Sequence, residues 1–145
     1  MNAAKPHILW AEDNARDRTL IQECLEELAH PGVTFVHDGV LLLEALEKER
    51  PDLVVLDLKM PRLGGLGALR EIRAHPEWKT LAVVVFSSGE RPDEIAACKA
   101  LGVKDVVRKP VDFDLFGLAV QRVVRWAVAE PAIPKATALS RNTTP

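Results

Sequence analysis

The chain has 145 residues, enough for one domain with a sizeable core and short for two. Its 48% hydrophobic and 28% charged content is ordinary for a globular protein, and a formal net charge of −2 gives no reason to expect a nucleic-acid or membrane partner. No apolar run approaches the ~18 residues that cross a bilayer, and the first seven residues lack an apolar signal segment, so a cytoplasmic protein is expected.

Residues 7–11 form a short apolar run that ends in Glu12-Asp13-Asn14. Asn14 is a good helix cap, with Asp17 in the first turn. Leu20, Ile21, Cys24, Leu25 and Leu28 follow at helical spacing, and His30-Pro31-Gly32 stops that helix. Residues 33–37 are β-rich and close at Asp38-Gly39; Leu42, Ala45 and Leu46 mark a second helix, broken by Pro51. Residues 53–58 are almost wholly apolar, as a strand covered on both faces should be, with one acid, Asp57, at the carboxyl end.

Pro61 and Gly64-Gly65 turn the chain into a helix carrying Leu66, Leu69 and Ile72. Residues 81–86 make a second apolar strand ending at Ser87-Ser88-Gly89, and Asp93 starts a helix through Ile95 and Cys98 that stops at Gly102. Residues 103–108 are the last strand, followed by Lys109-Pro110. A final helix over 112–129 leads to a proline-containing tail, 130–145. Cys24 and Cys98 sit on apolar helix faces without a Cys-x-x-Cys pair and read as buried reduced thiols. The four histidines show no metal-ligand spacing.

A βα unit repeated about five times calls for a parallel sheet with helices on both faces. This length favours a doubly wound, flavodoxin-like α/β fold with strand order 2-1-3-4-5, whose ligand site lies at the carboxyl ends of the strands. That rule selects Glu12, Asp13, Asp57, Ser87 and Lys109. Each has a plain structural reading, such as a helix-preceding acid, a turn acid or a solvated lysine. Together they put three acids, a hydroxyl and an amine on one edge.

Two like charges about 4 Å apart repel by roughly 4 kcal/mol at a surface-like dielectric constant, so three carboxylates gather only around a cation. Oxygen ligands and partial exposure point to Mg2+. With Lys109 as a second positive charge, such an edge suits attack of a carboxylate on a phosphoryl group, where positioning and charge neutralisation supply most of the catalysis.

Glu12-Asp13-Asn14, Asp57-Leu58-Lys59-Met60-Pro61 with Gly64-Gly65, Ser87-Ser88 and Lys109-Pro110 resemble, in order and spacing, the receiver domains of two-component response regulators. The resemblance covers about residues 6–129. It implies a phosphoacceptor Asp57, charged from a phosphohistidine on a sensor histidine kinase, and a signalling domain rather than a turnover enzyme. It also implies Mg2+ held by Asp13, Asp57 and the carbonyl of Lys59, with Glu12 acting through water. Ser87 would hydrogen-bond the phosphoryl group and Lys109 would pair with it. Lys59 would overhang the path of attacking water and set the lifetime of the phosphoaspartate, and the Lys109–Pro110 bond would be cis. One departure stands out: Val106 occupies the position where receivers usually carry an aromatic ring that relocates on phosphorylation.

A flavodoxin would share the fold, but Glu12-Asp13 in its first loop would repel a flavin phosphate. A haloacid dehalogenase-type phosphatase needs a second Asp two residues after the nucleophile, where this chain has Lys59. After residue 129 only the tail remains, so output through protein contacts is expected. Single-domain regulators paired with bacterial phytochromes have a similar Ser-Ser loop, late Trp and proline-containing extension, which suggests a bacteriophytochrome kinase. Phe113, Phe116, Val120, Val123, Val124 and Ala127 fall on the arc of the last helix that should face the sheet. Leu115, Ala119 and Trp126 form a second strip, and Leu118 points away, a pattern that suits a homodimer through this helix and the tail. It suits equally a Trp126 that seals the monomer's own core.

Overall fold

Five strands and five helices alternate among the residues described by the computed structural model, namely 6–28, 32–89 and 91–127. The strands are β1 (Ile8–Ala11), β2 (Val33–Val36), β3 (Leu53–Leu56), β4 (Val83–Ser87) and β5 (Asp105–Arg108). The helices are α1 (Ala15–Glu27), α2 (Gly39–Lys48), α3 (Gly65–Ala74), α4 (Pro92–Ala100) and α5 (Phe113–Val124), the last running into a 3-10 turn, Arg125–Ala127. Every strand pair is parallel, in the order β2-β1-β3-β4-β5, which is the expected flavodoxin-like topology.

Side chains alternate across each strand, so the apolar runs feed two cores. Leu9, Ala11, Val54, Leu56, Val83 and Val85 face one side and pack with Leu42 and Leu46 of α2, Leu69 and Ile72 of α3, and Cys98 of α4. Ile8, Trp10, Leu53, Val55, Val84 and Phe86 face the other and meet Ile21 and Leu25 of α1 and Phe116, Val120 and Val123 of α5. Helix starts follow local chemistry. The side chains of Asn14, Asp38 and Asp112 accept the backbone N–H groups of Asp17, Leu41 and Leu115. α4 opens at Pro92, one residue before the expected Asp93, because proline suits the first helical position.

Several expectations need correction. The Lys109–Pro110 bond is trans, as are all peptide bonds among the described residues. The Lys109 N–H donates to the Ser87 carbonyl at 2.9 Å, which aligns the chain as one more strand residue, and the four-carbon stem reaches the edge without a cis turn. Phe113, the first residue of α5, does not face the sheet but is 60% exposed at the helix start. Ala119, placed on the flank, is instead buried against the sheet with Phe116 and Val120. Cys98 is buried, whereas Cys24 is only half-buried on α1. His30, the end of the expected domain at 128–129 and the tail at 130–145 lie outside the described residues.

Candidate functional site

The register of the sheet brings the site together. Ala11 pairs with Leu56 and Ser87 with Arg108, so the next residues of β1, β3 and β5 emerge side by side. Backbone bonds continue one step beyond the strands: Glu12 N–H donates to Val36 at 2.9 Å and Asp57 N–H to Ala11 at 3.1 Å. α1 is fastened to the same edge by Arg18, whose guanidinium donates to the Glu12 carbonyl at 2.8 Å.

Lys109 lies at the centre of the cluster. Its ammonium is 2.7 Å from Asp57 Oδ2, 2.8 Å from Glu12 Oε1 and 2.9 Å from Asp17 Oδ2, and it sits 6.0 Å from the centre of the Phe86 ring. Asp57 Oδ1 accepts from the Ser87 hydroxyl at 2.7 Å and from the Lys59 N–H at 3.0 Å. The Ser87 hydroxyl oxygen in turn accepts the Leu58 N–H at 3.2 Å, tying β4 to the end of β3. Glu12, Asp57 and Ser87 are buried, while Asp13 is exposed at the mouth.

The electrostatics separate the two buried acids. Burial pushes the Glu12 carboxyl up to about 8, outweighing the pull of Lys109. Burial acts on Asp57 in the same sense, but the hydrogen bonds from Lys109, Lys59 and Ser87 prevail and hold it below its ordinary value. Lys109 is desolvated too, yet its three carboxylate partners raise its pKa well above the ordinary lysine value. At neutral pH Asp57 is therefore an anion held against a cation, a poised nucleophile.

The donor set fits a hard divalent cation. Carboxylate oxygens of Glu12, Asp13 and Asp57 lie within 4.8 Å of one another. Glu12 Oε1 is buried without an aligned hydrogen bond, although the ammonium is near. All-oxygen donors with one exposed acid match the preference of Mg2+ for carboxylates plus water.

Each strand-end residue expected from the sequence is in this cluster. Three contributors carry no signal of their own in the sequence. Asp17 reads as an ordinary first-turn acid, and only the position of α1 against the end of β5 brings it to Lys109. Arg62 and Asp38, 2.9 Å apart, pin the loop that follows Asp57, and nothing in their spacing announces a contact across 24 residues. Val106, at the usual aromatic position, is half-buried and packs on the α2–α3–α4 side of the sheet.

The family model for the response regulator receiver domain matches residues 8–121. The chain belongs to this family. It is thus a phosphoacceptor module of two-component signalling, the kind of domain that takes its phosphoryl group from a histidine kinase, and not a conventional enzyme. The chain is 33% identical over 108 residues to the two-component response regulator ORR3 of Oryza sativa subsp. indica, covering 74% of this chain and 82% of that protein. It is 32% identical over 120 residues to the CAI-1 autoinducer sensor kinase/phosphatase CqsS of Vibrio cholerae, covering 82% of this chain but only 17% of that protein.

Among solved structures, the phosphorylated cyanobacterial phytochrome response regulator RcpA superposes with a TM-score of 0.80 at 30% identity, covering 91% of this chain and 100% of that one. The receiver domain of a Pseudomonas aeruginosa sensor histidine kinase, with a magnesium ion coordinated in its active site cleft, gives 0.68 at 29% identity, covering 83% and 98%. No helix among the described residues of this receiver domain is long and apolar enough to cross a membrane.

Proposed function

We propose that Asp57 is the phosphoacceptor of this receiver domain and that Lys109, Ser87 and an acid-bound Mg2+ assist it. The observation that carries this reading is the pairing of Asp57 Oδ2 with Lys109 at 2.7 Å, beside a cluster of acids at the strand ends. Asp57 attacks phosphorus as its carboxylate. The oxygen–phosphorus bond forms as the nitrogen–phosphorus bond of a phosphohistidine breaks, and the electron pair returns to the imidazole, which takes a proton from solvent. Lys109 neutralises charge that spreads over the phosphoryl oxygens, and the Ser87 hydroxyl turns from Asp57 to a phosphoryl oxygen. Mg2+ held by Asp13, Asp57 and the Lys59 carbonyl, with Glu12 through water, would supply further charge neutralisation at the phosphoryl oxygens.

The test is labelling of the full chain by acetyl phosphate with Mg2+. One acid-stable, hydroxylamine-labile label per chain is expected, and Asp57→Asn should carry none. Label at the wild-type level in Asp57→Asn would refute the assignment.

A finer reading names the kinase as a bacteriophytochrome, acting in the cytoplasm where ATP-charged kinases work. Its support is the likeness to a phytochrome response regulator. Phosphotransfer from a purified phytochrome kinase should then outpace transfer from unrelated kinases. A homodimer through α5 belongs to the same reading, supported by Phe113, Leu115 and Leu118, which are 54–60% exposed.

A further inference from the structure

In a capping box the acidic or amide side chain at the third position of a helix turns back to the N–H of the cap residue. Here that N–H is taken: Asn14 N–H donates to Glu12 Oε2 at 3.2 Å. Asp17 is left to face outward from the helix start, and its Oδ2 meets the Lys109 ammonium at 2.9 Å. Asn14 aims it, since the Asp17 N–H donates to Asn14 Oδ1 at 2.9 Å. Glu12, Asn14, Asp17 and Lys109 thus form one connected run from β1 through α1 to the end of β5.

A lysine ammonium is a compact charge on a flexible stem, with three N–H groups to place. Glu12 and Asp57 engage it from the floor of the site, and Asp17, whose side chain is 23% exposed, holds it from the α1 side. Asp17 is not among the acids whose oxygens converge for a cation. Its action must therefore pass through Lys109.

We propose that Asp17 is a positioning residue for phosphoryl transfer, anchoring Lys109 so that the N–H now on Asp57 Oδ2 is held where the phosphoryl oxygens arrive. The proposal rests on the reading of Asp57 as phosphoacceptor. It differs from a helix-dipole role, which would touch stability and leave the lysine alone.

The experiment follows the rate of Asp57 labelling in the full chain across acetyl phosphate and Mg2+ concentrations. Asp17→Ala should lower the limiting rate on the order of ten-fold, the worth of one charge-assisted hydrogen bond. The half-saturating Mg2+ concentration should not move. Asp17→Asn, which keeps an oxygen acceptor, should recover most of the rate. In a Lys109→Ala background Asp17→Ala should change nothing further, as expected of two residues that act as one unit.

A second measurement covers the case in which Lys109→Ala labels too slowly to follow. Acetylation of the Lys109 amine by acetic anhydride, read by peptide mass, should be faster in Asp17→Ala than in wild type. Wild-type labelling by Asp17→Ala, a raised Mg2+ requirement, an undiminished effect without Lys109 or unchanged amine reactivity would each overturn the proposal. An unlabelled wild type would instead overturn the phosphoacceptor reading, and amine reactivity would still decide whether Asp17 holds Lys109.

Discussion

Glu12 and Asp57 are carboxylates of the same pocket with opposite titration behaviour. The difference lies in their hydrogen bonds, because both are buried. Asp57 Oδ1 collects donors from Ser87 and Lys59, whereas Glu12 Oε1 has only the shared ammonium. A carboxyl raised from its ordinary 4.5 to about 8 favours the fold most below 4.5, and that contribution is lost as pH rises through 8. The contribution of Asp57 has the other sign and is lost only in acid, below 3.8. With Mg2+ removed by a chelator, the melting temperature should therefore fall between pH 5 and 8 more steeply in wild type than in Glu12→Gln, which stays neutral throughout. Parallel pH profiles for the two proteins would show that Glu12 does not titrate in this window.

The segment between β3 and α3 carries Lys59 and fixes how the site is roofed. Arg62 adopts a left-handed φ of 65° and pairs with Asp38, while Gly39 N–H donates to the Leu63 carbonyl at 3.0 Å. Asp38 also caps α2 by accepting from Leu41 N–H. Asp38→Ala should thus cost more stability than Arg62→Ala, with the lost cap alone contributing about 1 kcal/mol. Urea unfolding of the two variants measures this, and equal costs would mean that the cap contributes nothing. Gly65 belongs to the same segment. A Cβ there would lie 2.4 Å from the Asp57 carbonyl oxygen, so α3 can pack against the phosphoacceptor segment only with glycine at its start. Gly65→Ala should destabilise by about 1–3 kcal/mol, as overpacked sites do, and slow labelling of Asp57 as well. In sequence Gly64-Gly65 reads as turn chemistry; that Gly65 is required by close approach to Asp57 is not legible there, because the approach involves two backbones.

Over the whole molecule, the sheet is covered by α1 and α5 on one face and by α2, α3 and α4 on the other, and this division decides the role of Trp126. Its indole packs on the α1–α5 core, and Nε1 donates to Asp105 Oδ2 at 3.2 Å. Of the two readings of Trp126, the contacts favour the seal on its own core. Trp126→Ala should lower monomer stability by about 1–3 kcal/mol, less than for a fully buried tryptophan. The surface left for the proposed dimer is then Leu115, Leu118 and Phe113. Light scattering over a concentration series should show a mass approaching twice the monomer, and Leu118→Asp should keep the protein monomeric. A wild type that stays monomeric at high micromolar concentration, phosphorylated or not, would exclude the dimer.

The strand order and the strand-end residues Glu12, Asp13, Asp57, Ser87 and Lys109 were legible from the chain alone. The reason is physical: buried parallel strands demand apolar runs, such as Leu53 to Leu56, and a polar residue can follow only where the run leaves the core. What the sequence could not decide were contacts that depend on how helices lie on the sheet. Helical spacing put Phe113 with the core and Ala119 on the flank, because periodicity gives a direction around a helix and not where the sheet beneath it ends. Asp17 reaches Lys109 only because α1 begins beside the end of β5, and a carboxylate in a first turn looks the same in sequence whether it faces water or a lysine. Tertiary packing alone turned that acid into part of the site.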